Sequence, residues 1–168
     1  MSHSLVEQLR FTRTEFIRGM EGITDDESRQ RFHPMNCISW MVGHLADQEN
    51  RYWVYGGLGK QIFTQLNAKV GFGKPPSTPP LEEMLAAWQE ITIQADQYLD
   101  RLTPSVLQTS MQIDGTVRKD NIGAMLYRSI YHYWFHLGEA SAIRQLLGHQ
   151  NLPVFVGDMS GHLYKPEV

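Results

Sequence analysis

Two histidines four residues apart, His132 and His136, lie in a segment whose apolar residues recur every three or four positions. One helical turn separates them, so both rings leave the same face of the helix. Two imidazoles placed in this way can bind one divalent metal ion. They can also be ordinary core residues, because tyrosine, tryptophan and phenylalanine side chains surround them in the sequence. A third ligand on another element would favour the metal site.

A third histidine, His44, lies in the apolar stripe of another predicted helix, which begins near Asn36 and ends at the pair Gly56-Gly57. By frequency, a histidine in such a stripe is a hydrogen-bonded core residue. However, its side chain leaves the helix where the apolar side chains do, toward the interior. Three imidazoles with an open coordination position are typical of a catalytic metal site rather than a structural one.

Two polar residues, Gln48 and Glu139, each follow one of these histidines by about one helical turn. We predict that they are catalytic, since residues so placed orient metal ligands or accept a proton. Glu139 is equally consistent with a surface or interhelical ion pair. Arg51, Tyr52 and Tyr131 are weaker candidates for contacting a substrate. Aromatic and long basic side chains near helix ends more often pack or extend into solvent.

Four long helical patterns organise the chain. The first spans about residues 3 to 21, the second contains His44, the third runs from Pro79-Pro80 to Leu102, and the fourth runs from Asp120 to Gly148. Residues 56 to 79 form a long connection rich in glycine and proline, with one helical turn near residues 61 to 66. The predicted fold class is therefore all-α, a four-helix bundle.

Shorter signals lie between and after these helices. Thr24 and Glu27 have the spacing of a capping box, which predicts a short helical turn. Asp114-Gly115 predicts the turn of a small hairpin before the last long helix. Residues 153 to 168 contain too many glycines and prolines for a helix, so we expect an extended tail over the bundle.

Composition narrows the class of protein. A chain of 168 residues with 42% hydrophobic residues predicts a single domain spanning residues 1 to 168. A net charge of −3 without a Lys/Arg block argues against nucleic-acid and membrane partners, which leaves a small molecule or a second copy. The lone Cys37 cannot form an intrachain disulfide or complete a thiolate site. Without a signal peptide or an apolar run of roughly 18 residues, we expect a cytoplasmic protein.

Two motifs resemble the DinB/YfiT-like family of metal-dependent enzymes: Ser39-Trp40-Met41-Val42-Gly43-His44-Leu45-Ala46 and His132-x-x-x-His136-Leu137-Gly138-Glu139. The resemblance implies an up-down-down-up bundle with the long crossover between helices 2 and 3. It also implies that the three histidines of these motifs bind Zn²⁺ or Ni²⁺, and that the protein is a homodimer. Many members have Gln where Glu139 stands, so the local polar network differs.

For some characterised relatives, the resemblance implies transfer or isomerisation reactions that depend on a low-molecular-weight thiol such as mycothiol or bacillithiol. Other members have no known activity. The leading hypothesis is therefore a metal-dependent enzyme, a thiol-dependent transferase or isomerase acting on a small-molecule substrate. The alternatives are a metal-dependent hydrolase and a non-catalytic helical bundle whose histidines hold the core or a dimer contact.

The flexible segments suggest how a substrate would enter. The histidines lie in the middle of their helices, so a substrate must pass the helix ends beneath the 56 to 79 connection and the C-terminal tail. Three aromatic residues on these segments are candidates to close the pocket or to anchor the segments on the surface: Phe72, Phe155 and Tyr164.

Overall fold

The structure is a computed structural model that describes residues 2–163. It is mostly helical, and the helices are α1 (Ser4–Met20), α2 (Asp25–Ser28), α3 (Ile38–Glu49), α4 (Leu66–Val70), α5 (Leu81–Leu99), α6 (Pro104–Leu107) and α7 (Ile122–Leu146). α3 continues into a π-helical segment, Asn50–Gly56, and a 3₁₀ turn, Ser160–His162, lies in the tail. The four long helices predicted from the sequence are thus present, with ends that differ by a few residues.

Local capping explains where several helices begin. Thr24 and Glu27 form the predicted capping box at α2, with the Thr24 side chain accepting from the Glu27 amide. α7 is capped by Asn121, one residue after the predicted helix start at Asp120, because the Asn121 side chain accepts a 2.8 Å bond from the Ala124 amide. Asp120 instead accepts hydrogen bonds from Arg128.

One hydrophobic core includes side chains from all four long helices. α3 packs on α5 and on α7, and α1 packs on α7. At Gly43, a Cβ would collide with the sulfur of Met84, so glycine lets α3 approach α5 closely. The largest fully buried side chains of this core include Phe16, Met41, Leu45, Trp53, Met84, Ile91, Met125 and Tyr133.

A two-stranded antiparallel sheet precedes α7, with strands β1 (Ser110–Ile113) and β2 (Thr116–Asn121). Asp114 and Gly115 both have positive φ, 52° and 72°, as a tight hairpin turn requires. Met111 and Ile113 are buried and pack against Gly56 of the π segment. The all-α prediction therefore needs correction, although the hairpin turn itself was predicted at these two residues.

Other elements depart from the prediction in detail. Within the 56 to 79 connection, the helical segment is α4 at Leu66–Val70 rather than a turn at residues 61 to 66. α5 ends at Leu99, and a separate short helix, α6, follows Thr103. Among residues 2–163, no helix combines the length and apolar character needed to cross a membrane.

Candidate metal centre

The structure brings together the three histidines that the sequence singled out. His44 lies on α3, and His132 and His136 lie one turn apart on α7. One ligand atom from each ring lies within 4.8 Å of the others. The ring centroids of His132 and His136 are 4.6 Å apart, and that of His44 is 4.9 and 5.4 Å from theirs. The predicted convergence of two helices at one point is confirmed.

In His136 and His44, a hydrogen bond determines which ring nitrogen is free. Nδ1 of His136 lies 2.7 Å from a carboxylate oxygen of Glu139, and Nδ1 of His44 lies 2.9 Å from the carbonyl oxygen of Val70. Because both partners only accept, each Nδ1 carries the proton and each Nε2 keeps its lone pair. A carboxylate or carbonyl behind a metal-binding imidazole is the usual arrangement in histidine metal sites.

The nitrogens facing the cluster are poorly satisfied by the protein. Nε2 of His136 lies 2.9 Å from Nε2 of His132, so at most one proton can lie between two ring nitrogens. Nδ1 of His132 is buried and has no hydrogen-bond partner in the described part of the chain. Buried polar atoms are nearly always paired, and a cation that accepts the Nε2 lone pairs of His132 and His136 would relieve the contact between these two nitrogens. The three side chains therefore fit a divalent metal ion.

Burial keeps the histidines neutral. It lowers the pKa of His132 to about 4, assisted by His44, and the pKa of His136 to about 3, assisted by His132 and His44. Burial also lowers the pKa of His44, although its bond to Val70 opposes the shift. Neutral imidazole is the form that binds metal, so no proton has to be displaced at neutral pH.

Trp40 and α4 position His44. The indole of Trp40, one turn earlier on α3, stacks on the His44 ring with centroids 4.4 Å apart and planes inclined by 14°. α4 ends at Val70, whose carbonyl oxygen accepts the hydrogen bond from Nδ1 of His44. The long connection between α3 and α5 thus supplies a backbone group that orients a candidate metal ligand.

A pocket of about 890 Å³ opens beside the histidine cluster. Gln48, Arg51, Tyr52 and Tyr131, all singled out from the sequence, line it together with His44 and His132. The side-chain oxygen of Gln48 is buried and has no partner among residues 2–163. Glu139 contacts the far nitrogen of His136 instead, which places it behind the ligand rather than in the pocket wall.

Sequence reasoning missed several residues of this pocket. Arg128 and Phe135 lie four residues before and three residues after His132, so helical spacing alone could have identified them. Asp47 and Asn67 join across α3 and α4 by a 2.7 Å hydrogen bond, and burial raises the pKa of Asp47. Lys74 comes from the loop after α4, where no local pattern indicated a role.

Of the two predicted closing residues that the structure describes, Phe72 and Phe155, one is at this pocket. Phe72 lines it and is 91% exposed. Phe155 instead packs near Trp134 and lines a separate cavity of about 270 Å³ between α1 and α7. The described part of the tail therefore does not cover the histidines, contrary to the expectation, and Tyr164 lies outside the described residues.

A second polar cluster lies between the same helices. Arg13 of α1 is only 5% exposed, and it donates from Nε to Glu49 at 2.7 Å. The Tyr133 hydroxyl donates to the same carboxylate at 2.8 Å, and the Trp88 indole donates to that hydroxyl at 2.7 Å. Arg13 is buried because Glu49 and Asp96 compensate its charge.

Comparison with known proteins places the chain in a family. The model of the DinB superfamily matches residues 8–140, a range that contains all three clustered histidines, the whole of α3 and α5, and most of α1 and α7. No curated protein matches the chain. The match covers well over half of the sequence, and the chain therefore belongs to the DinB superfamily.

Proposed function

We propose that His44, His132 and His136 bind one divalent metal ion, zinc or nickel, and that the protein is an enzyme acting on a small molecule in the adjacent pocket. The observation that carries this proposal is the convergence of three neutral imidazoles, two of whose Nε2 atoms face each other at 2.9 Å, beside an open pocket of about 890 Å³. Imidazole ligands suit both ions, and three protein ligands leave a coordination position for a substrate.

The protein's own residues hold the metal ligands in place and orient the substrate. Glu139 keeps the His136 ring in the tautomer whose Nε2 faces the cluster, and the Val70 carbonyl does the same for His44. Gln48 offers a buried oxygen acceptor to a donor group of the substrate, since nothing in the described structure occupies it. When bound, the ion supplies Lewis acidity, which lowers the pKa of a thiol or water ligand.

The finer assignment rests on family resemblance and on the site's chemistry together. We propose a transfer or isomerisation reaction that depends on a low-molecular-weight thiol, and hydrolysis if water rather than a thiol is the nucleophile. The proposal includes a single domain with an up-down-down-up arrangement of the long helices, a homodimer, and a cytoplasmic location.

Cobalt substitution tests this function. The metal-free protein is loaded with Co²⁺ and titrated with a panel of low-molecular-weight thiols to millimolar concentration. We expect a sulfur-to-cobalt charge-transfer band and a changed visible spectrum, because the open position accepts a thiolate. His33→Ala, at an exposed histidine, is the matched control and should respond as the wild type does.

Two results would change the assignment. A Co²⁺ spectrum that no thiol perturbs would exclude thiol ligation and favour hydrolysis. Failure of the wild-type protein to bind Co²⁺ at all would exclude the metalloenzyme and favour a non-catalytic bundle.

A further inference from the structure

The wall of the histidine pocket has the opposite charge balance from the rest of the protein. The whole chain has 15 basic and 18 acidic residues, a net charge of −3. The pocket wall contains three basic side chains, Arg51, Lys74 and Arg128, and one acidic side chain, Asp47. A concave surface with a local excess of one charge attracts ligands of the opposite charge.

These basic side chains are not neutralised by strong ion pairs. Arg51 reaches Asp114 only at 4.0 Å, and both side chains are more than half exposed. Arg128 bonds Asp120 at 2.9 Å. Ion pairs at the surface contribute little free energy. Lys74 forms no ion pair with any residue between 2 and 163. Their charges remain available to a ligand.

The single acidic group of the wall is already engaged. Asp47 accepts a 2.7 Å hydrogen bond from the Asn67 amide. It is one of only four charged residues in the wall, so it cannot offset three cations. The Arg118 guanidinium lies 5.8 Å from the centre of the Tyr52 ring, which lines the pocket. A further cation is therefore close to the pocket wall.

Aromatic rings form another part of the pocket surface. Tyr131 and Phe135 lie one turn apart on α7 and are 64% and 61% exposed, and Phe72 faces solvent from the loop after α4. Large exposed aromatic side chains gathered at a cavity indicate a surface that contacts an apolar part of a ligand.

We propose that this pocket takes an anionic organic substrate, whose carboxylate or similar group is bound by Arg51, Lys74 and Arg128 and whose aromatic or otherwise apolar body lies against Phe72, Tyr131 and Phe135. The inference rests on the proposed function for the reacting end of the substrate, which the histidine cluster receives. The charge of the wall selects the other end.

The test compares two thiols of the same shape and different charge. Co²⁺-loaded protein is titrated with 4-mercaptobenzoate and with 4-mercaptobenzamide at low ionic strength, and the charge-transfer band gives each Kd. We expect the anion to bind about tenfold more tightly, which corresponds to about 1.4 kcal/mol. The preference should shrink as salt is added, since exposed charges are screened.

A matched pair of triple variants locates the preference. Arg51→Gln/Lys74→Gln/Arg128→Gln should bind both thiols with similar Kd, because the cations of the wall are gone. Arg31→Gln/Arg101→Gln/Lys119→Gln removes the same charge from exposed positions outside the pocket and should keep the preference. The inference would be overturned if both variants lost the preference for the anionic thiol equally, or if the first variant kept it.

A measurement without sulfur separates this inference from the proposed function. Calorimetry with benzoate and benzamide repeats the comparison without requiring coordination by a thiol. Suppose that benzoate binds more tightly than benzamide, but neither thiol perturbs the Co²⁺ spectrum. This result would refute thiol ligation and leave the anionic substrate standing. Equal binding of the charged and neutral partner in both pairs would refute the anionic substrate and leave the metal centre untouched.

Discussion

Two buried polar clusters connect α3 with α7, and they differ in how fully their atoms are satisfied. In the cluster of Arg13, Glu49 and Tyr133, the Glu49 carboxylate receives three hydrogen bonds from the other two side chains. In the histidine cluster, two ring nitrogens face each other at 2.9 Å, and Nδ1 of His132 has no partner in the described chain. The same pair of helices thus holds one saturated and one unsaturated polar set.

The difference distinguishes a structural cluster from a binding site. A saturated buried network fixes the helices relative to one another and has no remaining capacity for a ligand. An unsaturated set carries an energetic cost, and a metal ion bound by the facing nitrogens lowers that cost. The saturated cluster should therefore respond to mutation through the free energy of unfolding, and the histidine cluster mainly through binding.

The largest expected effect is the loss of Glu49. Glu49→Ala leaves the buried Arg13 guanidinium without its main partner, although Asp96 remains 2.7 Å away. We expect a loss of about 3 to 5 kcal/mol in the free energy of unfolding of the metal-free protein, measured by urea denaturation. A loss below about 1 kcal/mol would mean that the cluster is not structural.

The next effect concerns the residue behind His136. Glu139→Ala removes the acceptor that fixes the His136 tautomer, so metal affinity should fall about 10- to 100-fold in a competition titration with a chelator. Glu139→Gln keeps an oxygen acceptor and should lose much less. If the alanine variant binds metal as tightly as the wild type, the bond between His136 and Glu139 has no role in ligation.

Protonation of the histidines gives a smaller effect in the metal-free protein. Burial lowers the pKa of His132 to about 4 and that of His136 to about 3, whereas an unfolded histidine titrates near about 6.5. Below that value the unfolded state binds more protons, so the free energy of unfolding falls as the pH decreases from 7 toward 4.

Denaturation at two pH values measures this contribution. Between pH 7 and pH 5.5, we expect each of the two rings to cost about 1 kcal/mol of stability. The double variant His132→Ala/His136→Ala should lose correspondingly less over the same interval, and His33→Ala should match the wild type. Equal losses in the double variant and the wild type would show that these rings are not held neutral.

The smallest effect concerns an ion pair at the surface. Lys69 of α4 pairs with Glu83 of α5, and both side chains are 47% exposed. Lys69→Gln should change the free energy of unfolding by less than about 1 kcal/mol, because water screens the pair. A cost as large as that of Glu49→Ala would show that burial does not distinguish the two ion pairs.

Periodicity was sufficient to predict the long helices and the meeting of the histidines. His44 shares a face with Met41, which is fully buried, so the direction of its ring followed from the helix alone. His132 and His136 shared a face for the same reason. The capping box at Thr24 and the turn at Asp114 could be predicted because each depends on residues no more than three positions apart.

Features that depend on distant partners could not be predicted. Arg13 is buried only because Glu49, 36 residues later, compensates its charge. The Val70 carbonyl reaches His44 across 26 residues, and a backbone group leaves no trace in the residue types. The tail lies along α1 because the Gly157 amide donates to Glu15, a contact between segments 142 residues apart.

The metal stoichiometry of the histidine variants tests the central claim most directly. Metal-free protein is reconstituted with Zn²⁺, dialysed and analysed for its metal content, with circular dichroism confirming that each variant is folded. The wild type should hold about one ion per chain, and His44→Ala/His132→Ala/His136→Ala should hold none. A folded triple variant that retains one ion per chain, or a wild type that binds none, would contradict the assignment of a metal centre to these three residues.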